Sequence, residues 1–221
     1  MGLKPKTIKC KCCGERGTPK NNSTLGYYCE KTECQDVRIE KSLKKVRQST
    51  EAATKKANVE WNKERKEIME KLKTLSDYKA DLQADINLIV RLIDKDVPCI
   101  ATGATTGKRN AGHRFSVGSN DTIRFHLCNI HVQSEHSNKW KGGDNDRYTQ
   151  GLLDMYGTGY TDYVLSLNQI AKIDLSKEDI KEIMPIARQI IKELKAADRT
   201  YNTGERIELR KRYNKQLGIY K

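Results

Sequence analysis

The sequence predicts an α+β fold in which helices dominate. It comprises a cysteine-rich zinc-binding module, a long charged helix, a small central core of two strands and a helix, and a helical C-terminal region. Three observations point there. Five of the seven cysteines fall within the first 34 residues; Val37 to Thr74 contains neither proline nor glycine; and Cys99 to Phe125 turns to Gly, Thr, Ser and Asn. Only 36% of the 221 residues are hydrophobic and 32% are charged, so much of the chain must be solvated helix or surface rather than core. The boundaries follow at 1–36, 37–75, 76–147 and 148–221.

The formal net charge of +13 makes a polyanion the natural partner. A membrane surface fits less well, because no basic amphipathic segment carries bulky aromatics. No stretch is apolar enough to span a bilayer, and the N-terminus lacks the apolar core of a signal peptide. These features lead us to expect a soluble chain in the cytoplasm.

In the first segment, Cys10-x2-Cys13 and Cys29-x4-Cys34 flank a loop rich in turn residues (Gly14, Gly17, Pro19, Asn21, Asn22, Gly26). Two close thiolate pairs joined in this way can wrap one tetrahedral Zn²⁺, with Cys12 able to replace a neighbour. The odd cysteine total argues against a complete disulfide framework. The second segment reads as a long polar helix with Leu43, Val46, Trp61, Ile68 and Leu72 as sparse anchors. Its basic pairs Lys44-Lys45, Lys55-Lys56 and Arg65-Lys66 either track a phosphate backbone or coat a solvated spacer.

Ser76-Asp77 makes a plausible cap for a helix to about Lys95, with Leu82, Ile86, Ile89 and Ile93 as its stripe and Pro98 as its stop. Short strands and loops follow, with His113 expected at the end of the first strand. Cys128 to Lys141 then reads as a helix ending before Gly142-Gly143. Tyr148 to Ile170 suggests a helix broken near Gly157 and Gly159. Ser176 with Asp179 forms a capping box for a helix buried through Ile180, Ile183, Ala187, Ile190, Ile191 and Leu194, in which Pro185 should kink or split the first turns. Glu205 to Lys221 reads as a basic tail containing Arg206, Arg210, Lys211, Arg212 and Lys215.

The central segment carries the chemistry. His113, Asn129, His131 and Asn138 on one small unit can activate water and hold a divalent cation against a phosphate, the pattern of an HNH, or ββα-metal, nuclease. Val97-Pro98-Cys99-Ile100, Ala111-Gly112-His113, Arg124-Phe125, Asn129-Ile130-His131, Gln133, Asn138 and Lys141 together resemble the phage NinG proteins, also called Rap, within the HNH endonucleases. The order of parts agrees across nearly the whole chain. The resemblance implies a treble-clef-like ββα-metal core. It also implies a structure-directed endonuclease of phage recombination, acting on branched DNA such as Holliday junctions and D-loops in the host bacterial cytoplasm. A homodimer is possible, since resolving a junction requires two cuts.

This chain departs from the resemblance at two places. Where the family usually carries two Cys-x-x-Cys pairs around the core, this chain has Cys99 with Thr102, then Ser134 with Ser137; packing and hydroxyl hydrogen bonds are expected to hold the unit instead. A substitute zinc set from Cys99, Cys128, His126 and His136 is the less favoured alternative. Asn110 stands where the pattern often shows Asp.

In the expected mechanism His113 is the general base and Asn129 holds the loop or the imidazole. Asn138 offers oxygen to Mg²⁺ or Mn²⁺, with Asn110, His131 and Glu135 as further ligand candidates. His131, Glu135 and Asn138 would share one helix face. Arg114, Lys139 and Lys141 would meet phosphates, positioning DNA without reading sequence. The competing class is a non-catalytic, zinc-containing DNA-binding protein with an eroded core. An HNH restriction or homing enzyme, cutting at defined sequences, is a third.

Overall fold

A segment of clustered cysteines has little apolar surface to bury, so the first part of the chain folds around its thiols. The computed structural model describes residues 7–19, 25–140 and 145–220, and the chain divides into two units, Met1–Leu72 and Lys73–Lys221. In the first, β1 (Ile8–Lys9) pairs antiparallel with β2 (Arg16–Gly17), Ile8 opposite Gly17 and Lys9 opposite Arg16. Its small core is Cys10, Tyr28 and Cys34. Helix α1 (Thr32–Leu72) takes Cys34 into its first turn, so the last thiol is already helical. The expected anchors on α1 do not anchor: Leu43, Val46, Trp61, Ile68 and Leu72 are 55–69% exposed. Spaced singly among charges, they form no face wide enough to draw in a partner element.

The second unit is built on two amphipathic helices. Helix α2 (Leu75–Ile93) is capped by Thr74, not by Ser76: the Thr74 hydroxyl accepts from Asp77 N while the Asp77 carboxylate takes the Thr74 N–H. Its stripe Leu82, Ile86, Ile89 and Ile93 is fully buried and packs on α5 (Lys177–Ala197), capped by Ser176 with Asp179. Helix α5 runs on through Pro185, so its first turns are not split off. An interior proline costs about 3 kcal/mol, but Ile180 and Ile183 before it and Ala187 and Ile190 after it all enter one core.

Against α2 lies a two-stranded antiparallel sheet, β3 (Arg109–His113) with β4 (Ile130–Ser134). The register sets Gly112 opposite His131 and His113 opposite Ile130. The 114–129 connection contains 3₁₀ turns at Asp121–Ile123 and Leu127–Asn129. Helix α3 (Glu135–Trp140) follows β4 directly. The single helix expected over Cys128–Lys141 is therefore a turn, a strand and a short helix. Ile130 and Val132 are β-branched and suit a strand, and both enter the buried interior.

Helix α4 (Asn145–Ser166) bends at Gly157, whose φ of +78° an L side chain would strain. Gly151 is required for another reason: a Cβ there would lie 1.7 Å from the Ile100 carbonyl oxygen. Helix α6 (Thr203–Leu217) is capped by Asn202 with Glu205 and replaces the expected basic tail. Arg206 and Arg210 are buried, because the fold sets fixed acceptors against them, Tyr201 O and Tyr156 OH for Arg206 and Asp94 for Arg210. Arg210 Nη2 meets both Asp94 oxygens at 2.8 and 2.7 Å, and Asp94 also accepts from Val132 N at 3.0 Å. No helix among the described residues is long and apolar enough to cross a membrane.

Candidate functional site

Two sites emerge, one in each unit. In the first, Sγ of Cys10, Cys13, Cys29 and Cys34 all lie within 4.8 Å of one another. Sulfurs around a tetrahedral Zn²⁺ with Zn–S near 2.3 Å sit about 3.8 Å apart, so the quartet can hold a zinc ion. Cys12 is exposed, and its backbone N–H donates to Cys10 Sγ at 3.4 Å rather than offering its own thiol. Burial works to raise the Cys10 pKa, but N–H donors from Cys29, Cys13 and Cys12 prevail and hold it down to about 6. Burial and the neighbouring thiols push Cys34 up. Four such thiols crowd negative charge that a dication neutralises.

In the second unit, His113 ends β3 and is half-buried. Its Nε2 lies 2.9 Å from the Arg124 carbonyl oxygen. A carbonyl only accepts, so the bond assigns the proton to Nε2 and leaves a lone pair on Nδ1. Burial pushes the imidazole below its usual 6.5; the carbonyl opposes this and the Arg124 charge adds to it. The ring is therefore neutral near pH 7.

Asn129 is fully buried and touches the loop rather than the imidazole. Its Oδ1 accepts from Phe115 N at 2.9 Å, and its Nδ2 donates to Phe115 O at 3.1 Å and Ile123 O at 3.2 Å. The Asn129 carbonyl takes Arg114 N at 2.8 Å. The two residues after His113 are thus stitched to the turn that precedes β4.

His131 is withdrawn from the candidate ligands. It lies on a strand, not a helix, opposite Gly112 and so on the other face from His113. Both its nitrogens are engaged, Nδ1 with Tyr148 OH and Nε2 with Tyr160 OH, each at 3.0 Å. Tyr148 spends its proton on Gly112 O at 3.0 Å. The proton order is therefore Tyr160 O–H to Nε2, and Nδ1–H to Tyr148. Burial first, then Arg210 and Arg206, drive the His131 pKa far down. Asn110, three residues before His113, also falls on the opposite face of β3.

Glu135 opens α3, its carboxylate 3.5 Å from Lys108 Nζ. Asn138 and Lys139 fall on α3; their side chains, and all of Lys141, lie outside the described residues. Arg114 lies beside the loop, with Nε on Thr149 Oγ1 at 3.0 Å and its guanidinium over the Phe115 ring.

Cys99, Thr102, Ser134 and Ser137 are brought together by hydrogen bonds. Cys99 Sγ takes Ser134 N at 3.1 Å and meets Ser137 Oγ at 3.6 Å, while Ser134 and Ser137 hydroxyls bond at 3.2 Å. Burial alone would raise the Cys99 pKa, but the Thr102 hydroxyl, Ser134 N–H and Ser137 hydroxyl bring it to about 7. The substitute zinc set does not assemble: among the described residues the N-terminal quartet alone groups as a metal site. His126 and Cys128 instead meet Asn214 of α6, and His136 is exposed.

Sequence reasoning missed Tyr148, Tyr160, Asp94, Arg210 and Tyr220. The helical spacing of Tyr156, Tyr160 and Tyr163 was the one available signal, and it does not say what the ring edges face.

The family model for the bacteriophage lambda NinG protein matches residues 3–197. The chain belongs to the NinG family. Among curated NinG proteins, that of Salmonella phage P22 is 29% identical over 125 residues, covering 56% of this chain and 61% of the relative. That of Escherichia phage lambda is 29% identical over 125 residues, 56% and 60% of the two chains. That of Enterobacteria phage H19B is 31% identical over 96 residues, 43% and 48%. The chain thus spans about 60% of the length of the first two NinG relatives. No solved structure matches.

Proposed function

We propose that this NinG-family chain is a metal-dependent, structure-directed endodeoxyribonuclease of phage recombination that hydrolyses phosphodiesters in branched DNA. The observation that carries the reading is His113: a half-buried, neutral imidazole whose Nε2–H is anchored on the Arg124 carbonyl, leaving the Nδ1 lone pair to accept a proton. The order β3, loop, β4, α3 supports a ββα-metal core. The net charge of +13 supports a polyanionic substrate.

In this mechanism His113 Nδ1 takes a proton from water as the water oxygen attacks phosphorus, and the bond from phosphorus to the leaving oxygen breaks. Asn129 keeps the following loop in place, so that the imidazole is presented at a fixed angle. Asn138 and Glu135, both oxygen-bearing residues of α3, would hold a hard dication, Mg²⁺ or Mn²⁺, which would supply charge neutralisation for the leaving group. Arg114 and Lys139 would meet the backbone. Zn²⁺ in the cysteine quartet serves structure only. The setting is the host cytoplasm, and a homodimer would supply the second cut.

A second reading, DNA binding without cleavage, draws on one observation: the Glu135 carboxylate already pairs with Lys108. Incubating the protein with labelled four-way, forked and linear DNA of matched sequence, in Mg²⁺ or Mn²⁺ and beside His113→Ala, separates the two. Cleavage of branched substrates that falls about 10²- to 10⁴-fold in the variant is the expected result. Tight binding by both proteins without cutting in either metal would overturn the nuclease reading, and cutting at one sequence in linear DNA would overturn the branch specificity.

A further inference from the structure

We propose that Tyr220 is a positioning residue for His113, acting through the turn at 122–125. The inference rests on the reading of His113 as the base. Beyond α6, Gly218 at φ +69° reverses the chain, and Tyr220 returns to the loop between β3 and β4. Its hydroxyl donates to Thr122 O at 2.9 Å and accepts from Phe125 N at 3.3 Å. These two groups bracket Arg124, whose carbonyl receives the His113 Nε2–H.

A phenol has one proton and two lone pairs, so both bonds form together and fix the Thr122–Ile123 and Arg124–Phe125 peptide planes, the second of which carries the Arg124 carbonyl. The intervening Ile123–Arg124 plane is held separately, by Asn129 Nδ2 and His126 N on the Ile123 carbonyl and by Arg124 N on Asp121 O at 3.3 Å, whereas the N–H of the plane that carries the Arg124 carbonyl goes to Tyr220. The Arg124 side chain points elsewhere, to Asp121 Oδ1 at 2.9 Å and Gln83 Oε1 at 3.4 Å, so it does not aim the carbonyl. Burial raises the Tyr220 pKa, which keeps the hydroxyl a donor.

The consequence is a choice of tautomer. With the carbonyl held, His113 carries its proton on Nε2 and shows water a lone pair at Nδ1. Without the clasp the peptide planes can turn and the Nδ1–H tautomer gains population, which presents water with a proton where the reaction needs a base.

Tyr220→Phe in the full chain tests this, because it keeps the ring that packs 4.7 Å from His126 and deletes only the hydroxyl. Nitrogen NMR of the imidazoles, at a pH where His113 is neutral, reads the tautomer directly, with His131 as an internal reference. In the variant, His113 should shift from Nε2–H toward a mixture while His131 stays unchanged. Nicking of a four-way junction in Mg²⁺ should fall about 10- to 100-fold. An unchanged His113 tautomer overturns the proposal even if nicking falls, and equal shifts at His113 and His131 overturn it by showing general loosening. The NMR readout needs no cleavage, so a wild-type protein that never cuts would sink the nuclease reading and leave the tautomer result to decide this one.

Discussion

Arg210→Met isolates the pair at the centre of the second unit. Both side chains are buried, Arg210 at 0% and Asp94 at 1% exposure. The guanidinium bonds both Asp94 oxygens and, through Nε, the Leu127 carbonyl at 3.2 Å. Methionine fills similar volume but leaves the Asp94 carboxylate in the interior with only Val132 N–H, and strips Leu127 O of a donor. Removing one partner of such a pair costs about 3–5 kcal/mol. For a unit of this size that lowers the melting temperature by roughly 6–20 °C. Adding Asp94→Asn should recover part of the loss, because the amide oxygen still accepts from Val132 while the stranded charge is gone. Urea unfolding followed by tyrosine near-ultraviolet signals, run as a double-mutant cycle, measures both terms. A single-variant loss below about 1 kcal/mol, or additive effects of the two substitutions, would refute the reasoning.

Two further predictions concern metal and pH. Purified protein should carry one zinc per chain by elemental analysis; Cys29→Ser should lose it and Cys12→Ser should keep it, since only Cys29 belongs to the quartet. His131, His126 and His113 all have lowered pKa values, His126 to about 4. The unfolded chain thus binds more protons than the native one below the ordinary histidine value. Stability should be full above about pH 6.5 and fall on acidification by up to about 1.4 kcal/mol per pH unit for each such histidine. His131→Gln should flatten thermal melts recorded between neutral and mildly acidic pH; an unchanged slope would contradict a buried neutral imidazole.

Local patterns were legible where short-range chemistry decides the outcome. The α2 and α5 stripes, the Ser176–Asp179 box and the break at Gly157 could be read directly, because helical periodicity, capping and positive φ are properties of a few adjacent residues. The grouping of Cys10, Cys13, Cys29 and Cys34 was legible for the same reason: pair spacing limits which thiols can share one ion. The Thr74 cap, two residues before the expected one, is an error of boundary rather than of kind.

Of the helix expected over Cys128–Lys141, Glu135–Trp140 is helical, but Cys128–Ser134 was misread because its residues tolerate both helix and strand, and pairing with Arg109–His113 chose the strand for Ile130–Ser134. That choice moved His131 to the face opposite His113. Arg206 and Arg210 read as part of a basic tail because net charge carries no information about a distant carboxylate such as Asp94. By itself, then, the sequence determined the helical framework, the thiol quartet and the candidacy of His113, all set by local spacing and residue chemistry. Only the tertiary structure decided that His113 is held through Nε2 alone while both nitrogens of His131 are engaged. Hydrogen-bond partners as remote as Arg124, Tyr148 and Tyr160 assign those protons, and sequence distance does not encode their approach.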